Sequence, residues 1–200
     1  MGDRAVLLEF ATLEQTLAGY RGLEAAARPG VVDLIPAART VLVVVDPRIL
    51  SPRDAGVWAR AAVPVPADAV EDREVVVPVR YDGEDLDAAS TAAGLSPEGL
   101  VARHTATRWT SAFIGFSPGF AYLVAEGPGL GAEIPRRATS RPRVPAGSVG
   151  LAGSFTGVYP RESPGGWQLI GTTDAVLWDA AAQPPALLAP GTRVRFEAIR

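Results

Sequence analysis

The alternation of apolar and polar positions divides the chain into two textures. Through the first eighty residues the pattern switches between a period of two and the helical period. Arg4–Phe10 alternates as a strand. Thr12 follows as an N-cap with Gln15 three residues on, a capping box, and Leu13, Leu17 and Tyr20 mark one helical face until Pro29-Gly30 stops it. Val31–Ile35 and Thr40–Val45 are β-rich apolar runs divided by Pro36–Arg39, which reads as a hairpin. Ser51 and Pro52, an N-cap with proline in the first helical position, open a second helix that runs to Ala62. Glu74–Tyr81 alternates again as a last strand. The order β-α-β-β-α-β predicts a small ferredoxin-like domain over residues 1–80.

Beyond Tyr81 the texture changes. Asp85–Ala93 and Ser96–His104 predict two short helices joined through Gly94. Short apolar runs then recur at Trp109–Gly115, Phe120–Ala125, Ser148–Ala152, Trp167–Gly171, Ala175–Trp178 and Arg193–Ile199, separated by turn residues. Irregular spacing of this kind predicts an all-β barrel or sandwich over residues 81–200, so the whole chain reads as α+β in two domains. One stretch of it, Gly115–Gly171, holds 12 of the 21 glycines and 7 of the 18 prolines. Glycine and proline are depleted from element interiors, so this density marks tight loops, either barrel corners or the loops of a binding site.

Composition narrows the chemistry. With 200 residues and 48% hydrophobic content the chain can bury a sizeable core. No apolar run approaches the ~18–20 residues of a membrane span. Met1-Gly-Asp-Arg opens without a basic-then-apolar leader, and cysteine is absent, so the cytoplasm is the expected compartment. All 19 basic residues are arginine, which excludes a Walker A lysine, a Schiff-base lysine and a biotin-bearing lysine on this chain. One histidine and no cysteine argue against a zinc site, and no metal is expected.

Net charge is −3 but unevenly placed: from Arg103 to Arg161 there are seven arginines against Glu126 and Glu133. Arg136, Arg137, Arg141 and Arg143 form the tightest group, open to two readings: a solvated loop paired with acids elsewhere, or a site for a phosphate or carboxylate. Nucleic acid is not expected, because the chain is acidic overall and the second short helix offers little beyond Arg103 and His104. Ala146-Gly-Ser-Val-Gly150 has alanine where a nucleophile elbow needs glycine, and no helix follows. Gly127-Pro-Gly-Leu-Gly-Ala132 precedes Pro135 rather than a helix, so it reads as a turn. His104 closes a predicted helix, where a cation suits the carbonyl end as well as it would suit proton transfer.

Five ordered motifs carry a resemblance across nearly the whole chain: Phe116-Ser-Pro-Gly-Phe120, Pro135-Arg-Arg137, Val144-Pro-Ala-Gly-Ser-Val-Gly150, Thr156-Gly-Val-Tyr-Pro160 and Ser163-Pro-Gly-Gly-Trp-Gln-Leu-Ile-Gly171. Together they resemble the family that holds the 5-oxoprolinase B subunits and KipI, also called allophanate hydrolase subunit 1, of the urea amidolyase type of carboxyltransferase domain. The resemblance implies a small α/β domain followed by a cyclophilin-like β-barrel. It implies one component of an ATP-dependent 5-oxoprolinase, inactive alone, that opens 5-oxoproline to glutamate. The implied partners are a C-type subunit, similar to allophanate hydrolase subunit 2, and an A-type subunit. Because the chain has no nucleotide signature, ATP is expected with or on a partner.

Within that frame His104 is the expected proton-transfer group. Arg137, Ser148, Thr156, Tyr159 and Gln168 are the expected substrate- or anion-binding groups. Phe116, Pro118, Gly119, Phe120, Gly165, Gly166 and Trp167 are the expected walls. Two alternatives travel with the resemblance: an inhibitor of a sensor histidine kinase, and half of a biotin-dependent carboxyltransferase. This chain departs from the family at Phe155, where glutamine is usual, at Pro36-Ala-Ala-Arg39, and in a shortened Asp82–Asp85 segment.

Overall fold

A computed structural model describes residues 2–66 and 74–200. The chain divides into two compact units, Met1–Val70 and Glu71–Arg200. In the first, β1 (Ala5–Glu9), α1 (Leu13–Ala25), β2 (Val31–Pro36), β3 (Thr40–Val45) and α2 (Pro52–Ala61) follow in order. The three strands form an antiparallel sheet in the order β1-β3-β2. Period-two alternation sends Val41, Val43 and Val45 into a core with Leu23, Leu50 and Ala55. Both predicted N-caps form: the Thr12 hydroxyl accepts from the Gln15 amide at 3.2 Å, and the Ser51 hydroxyl from the Asp54 amide at 3.1 Å. The Gln15 side chain closes back on the Ala11 amide, one residue earlier than a reciprocal capping box would place it.

The fourth strand of the expected ferredoxin-like set goes elsewhere. β4 (Glu74–Val79) pairs in parallel with β12 (Arg193–Ala198) in the second unit, from Glu74↔Arg193 to Val79↔Ala198. Among the described residues the first unit therefore keeps three strands of the ferredoxin-like order, and the division falls before Glu74 rather than after Arg80. The cause is burial. Val77 and Val79 are wholly enclosed in the barrel core, a better exchange for an apolar strand than the half-covered edge of β1.

The second unit continues with α3 (Leu86–Ala92), α4 (Pro97–Ala106), β5 (Trp109–Ile114), β6 (Ala121–Ala125), β7 (Arg141–Val144), β8 (Ser148–Ala152), β9 (Phe155–Val158), β10 (Ser163–Gly165) and β11 (Gln168–Thr172). Seven strands run β11-β8-β9-β6-β5-β12-β4, and β7 and β10 make a separate two-stranded ribbon. The ends of the seven-stranded sheet meet through one bridge. The Arg80 amide donates to the Thr172 carbonyl at 2.8 Å, and the Thr172 amide donates back at 2.7 Å, so the sheet nearly closes into a barrel. α3 packs on β11 and α4 on β12, as coverings of the barrel. Trp109, Leu123, Val149, Leu151, Val158, Ile170 and Phe196 fill its interior. Ala175–Trp178 stays irregular except for a bridge from Trp178 to Ala186. No helix among the described residues is long and apolar enough to cross a membrane.

At the seam, a Cβ on Gly171 would collide with the Arg80 carbonyl oxygen and lie 2.8 Å from Val79 Cγ1. Gly171→Ala should therefore destabilise the protein by about 1–3 kcal/mol, read as a lower urea midpoint. Gly56, inside α2, has only ordinary contacts at its Cβ position. Gly56→Ala should move the midpoint the other way, by about 0.5–1 kcal/mol.

Candidate functional site

The outer face of the barrel carries a second aromatic layer. Across β8 and β9, Val149↔Val158 and Leu151↔Thr156 point into the barrel, while Gly150↔Gly157 and Ala152↔Phe155 point out. The two glycines face each other and leave a side-chain-free patch. Trp167 fills it: its Cβ lies 3.2 Å from where a Gly150 Cβ would stand, and its ring and that of Phe120 each approach the Gly157 position to 3.2 Å. On this floor Phe120 meets Tyr122 at 5.1 Å, Tyr159 at 5.1 Å and Trp167 at 5.3 Å between ring centroids, all edge to face.

Above these rings opens a cleft of about 790 Å³. Phe116, Phe120, Tyr122, Phe155, Tyr159 and Trp167 supply its aromatic walls, and Glu133, Arg136, Ser140 and Gly165 supply polar edges. Phe116 stands at φ 68°, in the left-handed region that a bulky residue seldom occupies. The turn Gly115–Phe120 holds it there, with the Gly115 amide on the Phe120 carbonyl at 3.1 Å and the Phe120 amide on the Ser117 carbonyl at 3.0 Å. Its ring, 58% exposed, projects at the mouth against Phe120 and Tyr159. Burial raises the pKa of the Tyr122 and Tyr159 phenols, against the opposing charge of Arg136. Both hydroxyls are protonated donors at neutral pH.

Five of the thirteen expected site residues line the cleft: Phe116, Phe120, Tyr159, Gly165 and Trp167. Arg137 does not, and its guanidinium instead pairs with Asp85. Arg141 reaches the same carboxylate through both terminal nitrogens, at 2.8 and 2.9 Å, and the Leu169 amide donates to it at 2.8 Å. Burial raises the Asp85 pKa, but these donors outweigh it and hold the carboxyl below its ordinary range. The cleft's cation is the neighbour, Arg136. The segment is pinned by the Arg137 amide on the Gly166 carbonyl at 2.9 Å and by Gln168 Nε2 on the Pro135 carbonyl at 3.1 Å. Gln168 thus holds the wall without lining it. Gly166 lies beneath Ser140 and Arg136, Gly119 packs against Leu177 and Trp178, and neither these two nor Ser148 and Pro118 line the cleft.

His104 is a correction of a different kind. It is wholly enclosed, its ring stacked on Phe196 at 4.4 Å and away from the cleft. Nδ1 lies 2.7 Å from the Tyr81 hydroxyl and Nε2 lies 2.9 Å from the Thr156 hydroxyl. Thr156 donates to the Gly150 carbonyl at 3.2 Å, so it accepts from His104 Nε2–H, and Nδ1 accepts from Tyr81. Burial lowers the His104 pKa to about 3 and raises that of Tyr81, which keeps this chain of donors neutral. The pair expected to work on substrate, His104 and Thr156, is therefore a hydrogen-bonded thread through the barrel core. Thr156 faces inward because it alternates with Phe155 and Gly157. Phe155, one of the departures from the family pattern, is the residue that faces the cleft.

The comparisons with known proteins agree with this architecture. The carboxyltransferase domain, subdomain C and D, matches residues 1–188. The chain is 38% identical to the B subunit of 5-oxoprolinase from Escherichia coli O157:H7, over 98% of this chain and 93% of that protein. It is 36% identical to the B subunit of 5-oxoprolinase from Bacillus subtilis (strain 168), over 98% and 90%. Among solved structures, TTHA0988 superposes with a TM-score of 0.80 at 37% identity; the match covers 99% of this chain but only 40% of that one. The Kluyveromyces lactis urea amidolyase superposes with a TM-score of 0.81 at 17% identity, covering 98% of this chain and 14% of that one, which speaks for the fold alone. The family match and the fold thus define an α+β protein of the carboxyltransferase domain type. The chain belongs to the carboxyltransferase domain family, subdomain C and D, alongside the B subunits of 5-oxoprolinase.

The buried histidine makes a measurable pH signature, because it is the one histidine of the chain. Its native pKa lies below the unfolded value, so its contribution is intact above about pH 6.5 and is lost progressively as pH falls toward 3. Between pH 7 and pH 5 the unfolding free energy should drop by about 2 kcal/mol from this group. His104→Phe should lower stability at pH 7 and flatten that slope; an equal slope in the variant would remove His104 as its source.

Proposed function

We propose that this chain is the B subunit of an ATP-dependent 5-oxoprolinase and contributes the aromatic cleft to a composite site completed by C-type and A-type partner subunits. The observation that carries the reading is the 36–38% identity to two such B subunits over at least 90% of their length. The cleft supports it. It offers a cation for a carboxylate, phenol donors for a carbonyl and aromatic walls that exclude water, which are the needs of a cyclic amide acid. His104 lies in the core, and among the described residues that line the cleft the hydroxyl and carboxylate side chains besides the two tyrosines are Ser140 and Glu133. The longer chain of TTHA0988, of which the match covers 40%, is in keeping with a neighbouring domain being needed.

The residues present do not fit a nucleoside triphosphate. The chain has no lysine, and the one guanidinium that lines the cleft among the described residues cannot balance three phosphates. Among the described residues no group of three acidic or histidine side chains could hold a divalent ion. ATP is accordingly assigned to the partners, and the cytoplasm, where ATP is supplied, is the compartment proposed. Carboxyl transfer rests on a fold likeness at 17% identity and is not the reading adopted.

Co-expression with the partners should give a stable complex that releases glutamate from 5-oxoproline only when ATP and every component are present. No complex and no turnover would overturn the assignment, as would turnover by this chain alone. Trp167→Ala should lower activity of the complex by about tenfold or more, measured as glutamate released at saturating ATP, through loss of the stacked wall.

A further inference from the structure

The four arginines at 136–143 are not equivalent. Arg137 and Arg141 both end on Asp85, and Arg141 also meets Glu84 at 3.0 Å. Arg143 lies 3.4 Å from Glu162 on the exposed ribbon. Arg136 has no carboxylate partner among the described residues, and it alone of the four lines the cleft. Arg141 nevertheless stands beside that wall, because the β7–β10 ribbon pairs it with Gly165, which lines the cleft. Asp85 therefore neutralises a guanidinium that would otherwise add its field to the cleft. Glu133, on the cleft edge, adds a negative charge of its own.

We propose that the cleft accepts a ring-shaped ligand bearing one carboxylate and rejects polyanions, with Arg136 as the carboxylate receptor and Asp85 as the residue that sets the charge limit by holding Arg137 and Arg141. A single guanidinium binds one carboxylate through two parallel hydrogen bonds. A second negative charge would enter an apolar cleft beside Glu133 without a counter-ion, at a desolvation cost that nothing repays. The aromatic walls favour a compact ring body, and the Tyr122 and Tyr159 hydroxyls can donate to a carbonyl on it. The assignment builds on the cleft's reading as half of a composite site, but it concerns binding by this chain alone.

The test is calorimetric titration of the full chain with benzoate, L-5-oxoproline and pyrophosphate. The monocarboxylates should bind and pyrophosphate should not. Arg136→Gln should weaken the monocarboxylates by about ten- to hundredfold. Asp85→Asn should raise pyrophosphate affinity relative to benzoate by about tenfold or more, a ratio that a merely structural loss would leave unchanged. If Asp85→Asn does not fold, Glu133→Gln takes its place: removing the cleft's own negative charge should raise pyrophosphate affinity relative to benzoate, and an unchanged ratio would overturn the charge limit. Failure of both monocarboxylates to bind, an unaltered affinity in Arg136→Gln, or a wild-type preference for pyrophosphate would overturn the proposal. Benzoate binding through Arg136 without 5-oxoproline binding would keep the charge limit and count against the oxoprolinase reading instead.

Discussion

A carboxylate buried against two guanidinium groups organises the working side of this protein. Asp85 stands at the start of α3, yet its side chain makes no helix cap. It is engaged by Arg137, by both arms of Arg141 and by the Leu169 amide, while its own amide donates to the Leu169 carbonyl at 2.9 Å. Barrel strand β11 and the segment that presents Arg136 and Ser140 to the cleft are thereby fastened to one point. Removing one member of a buried ion pair typically costs about 3–5 kcal/mol, because the remaining charge is stranded away from water. The cleft wall is therefore held from behind, by groups that do not line the cleft.

The density of glycine and proline between Gly115 and Gly171 follows from the same layering. A barrel strand with side chains on both faces would leave no room for Trp167 and Phe120 to lie against it. Gly150 and Gly157, opposed in register, remove the outer side chains where those rings settle. The rings then meet edge to face in a rigid set, and Pro164 and Gly165 bring the β7–β10 ribbon over them. Barrel architecture and binding cleft share these residues, since one face of the glycine pair is sheet and the other is floor.

Much of the fold was legible from local rules, because capping and alternation act within a few residues. Thr12 and Ser51 each cap the helix their side chains announced. The partner of Glu74–Val79 was not legible, since pairing with a strand some 120 residues later is a tertiary choice between two cores. The aromatic walls could be read from motif, but the polar set could not. Thr156 and Tyr159 are separated by an odd number of positions on one extended stretch, so alternation forbids both from facing one cleft. That period selects Phe155 rather than Thr156 for the cleft, whereas nothing local separates Arg136 from Arg137. His104 misled for another reason: a lone histidine carries the same sequence signal whether it serves a ligand or a buried network.

The place of β12 has a consequence for how the molecule comes to exist. This strand, the last of the chain, does not sit at the sheet's margin but between β5 and β4, the first strand of the unit. Until Arg193–Ala198 has been synthesised, β4 has no neighbour on that side, and Val77 and Val79 have no enclosed core to enter. On the ribosome the barrel must therefore wait, open along two edges, for β12. Loop-closure entropy over so long a separation makes this a slow step, and it exposes apolar strand edges while it lasts. The first unit, whose strands pair only with one another, bears no such delay.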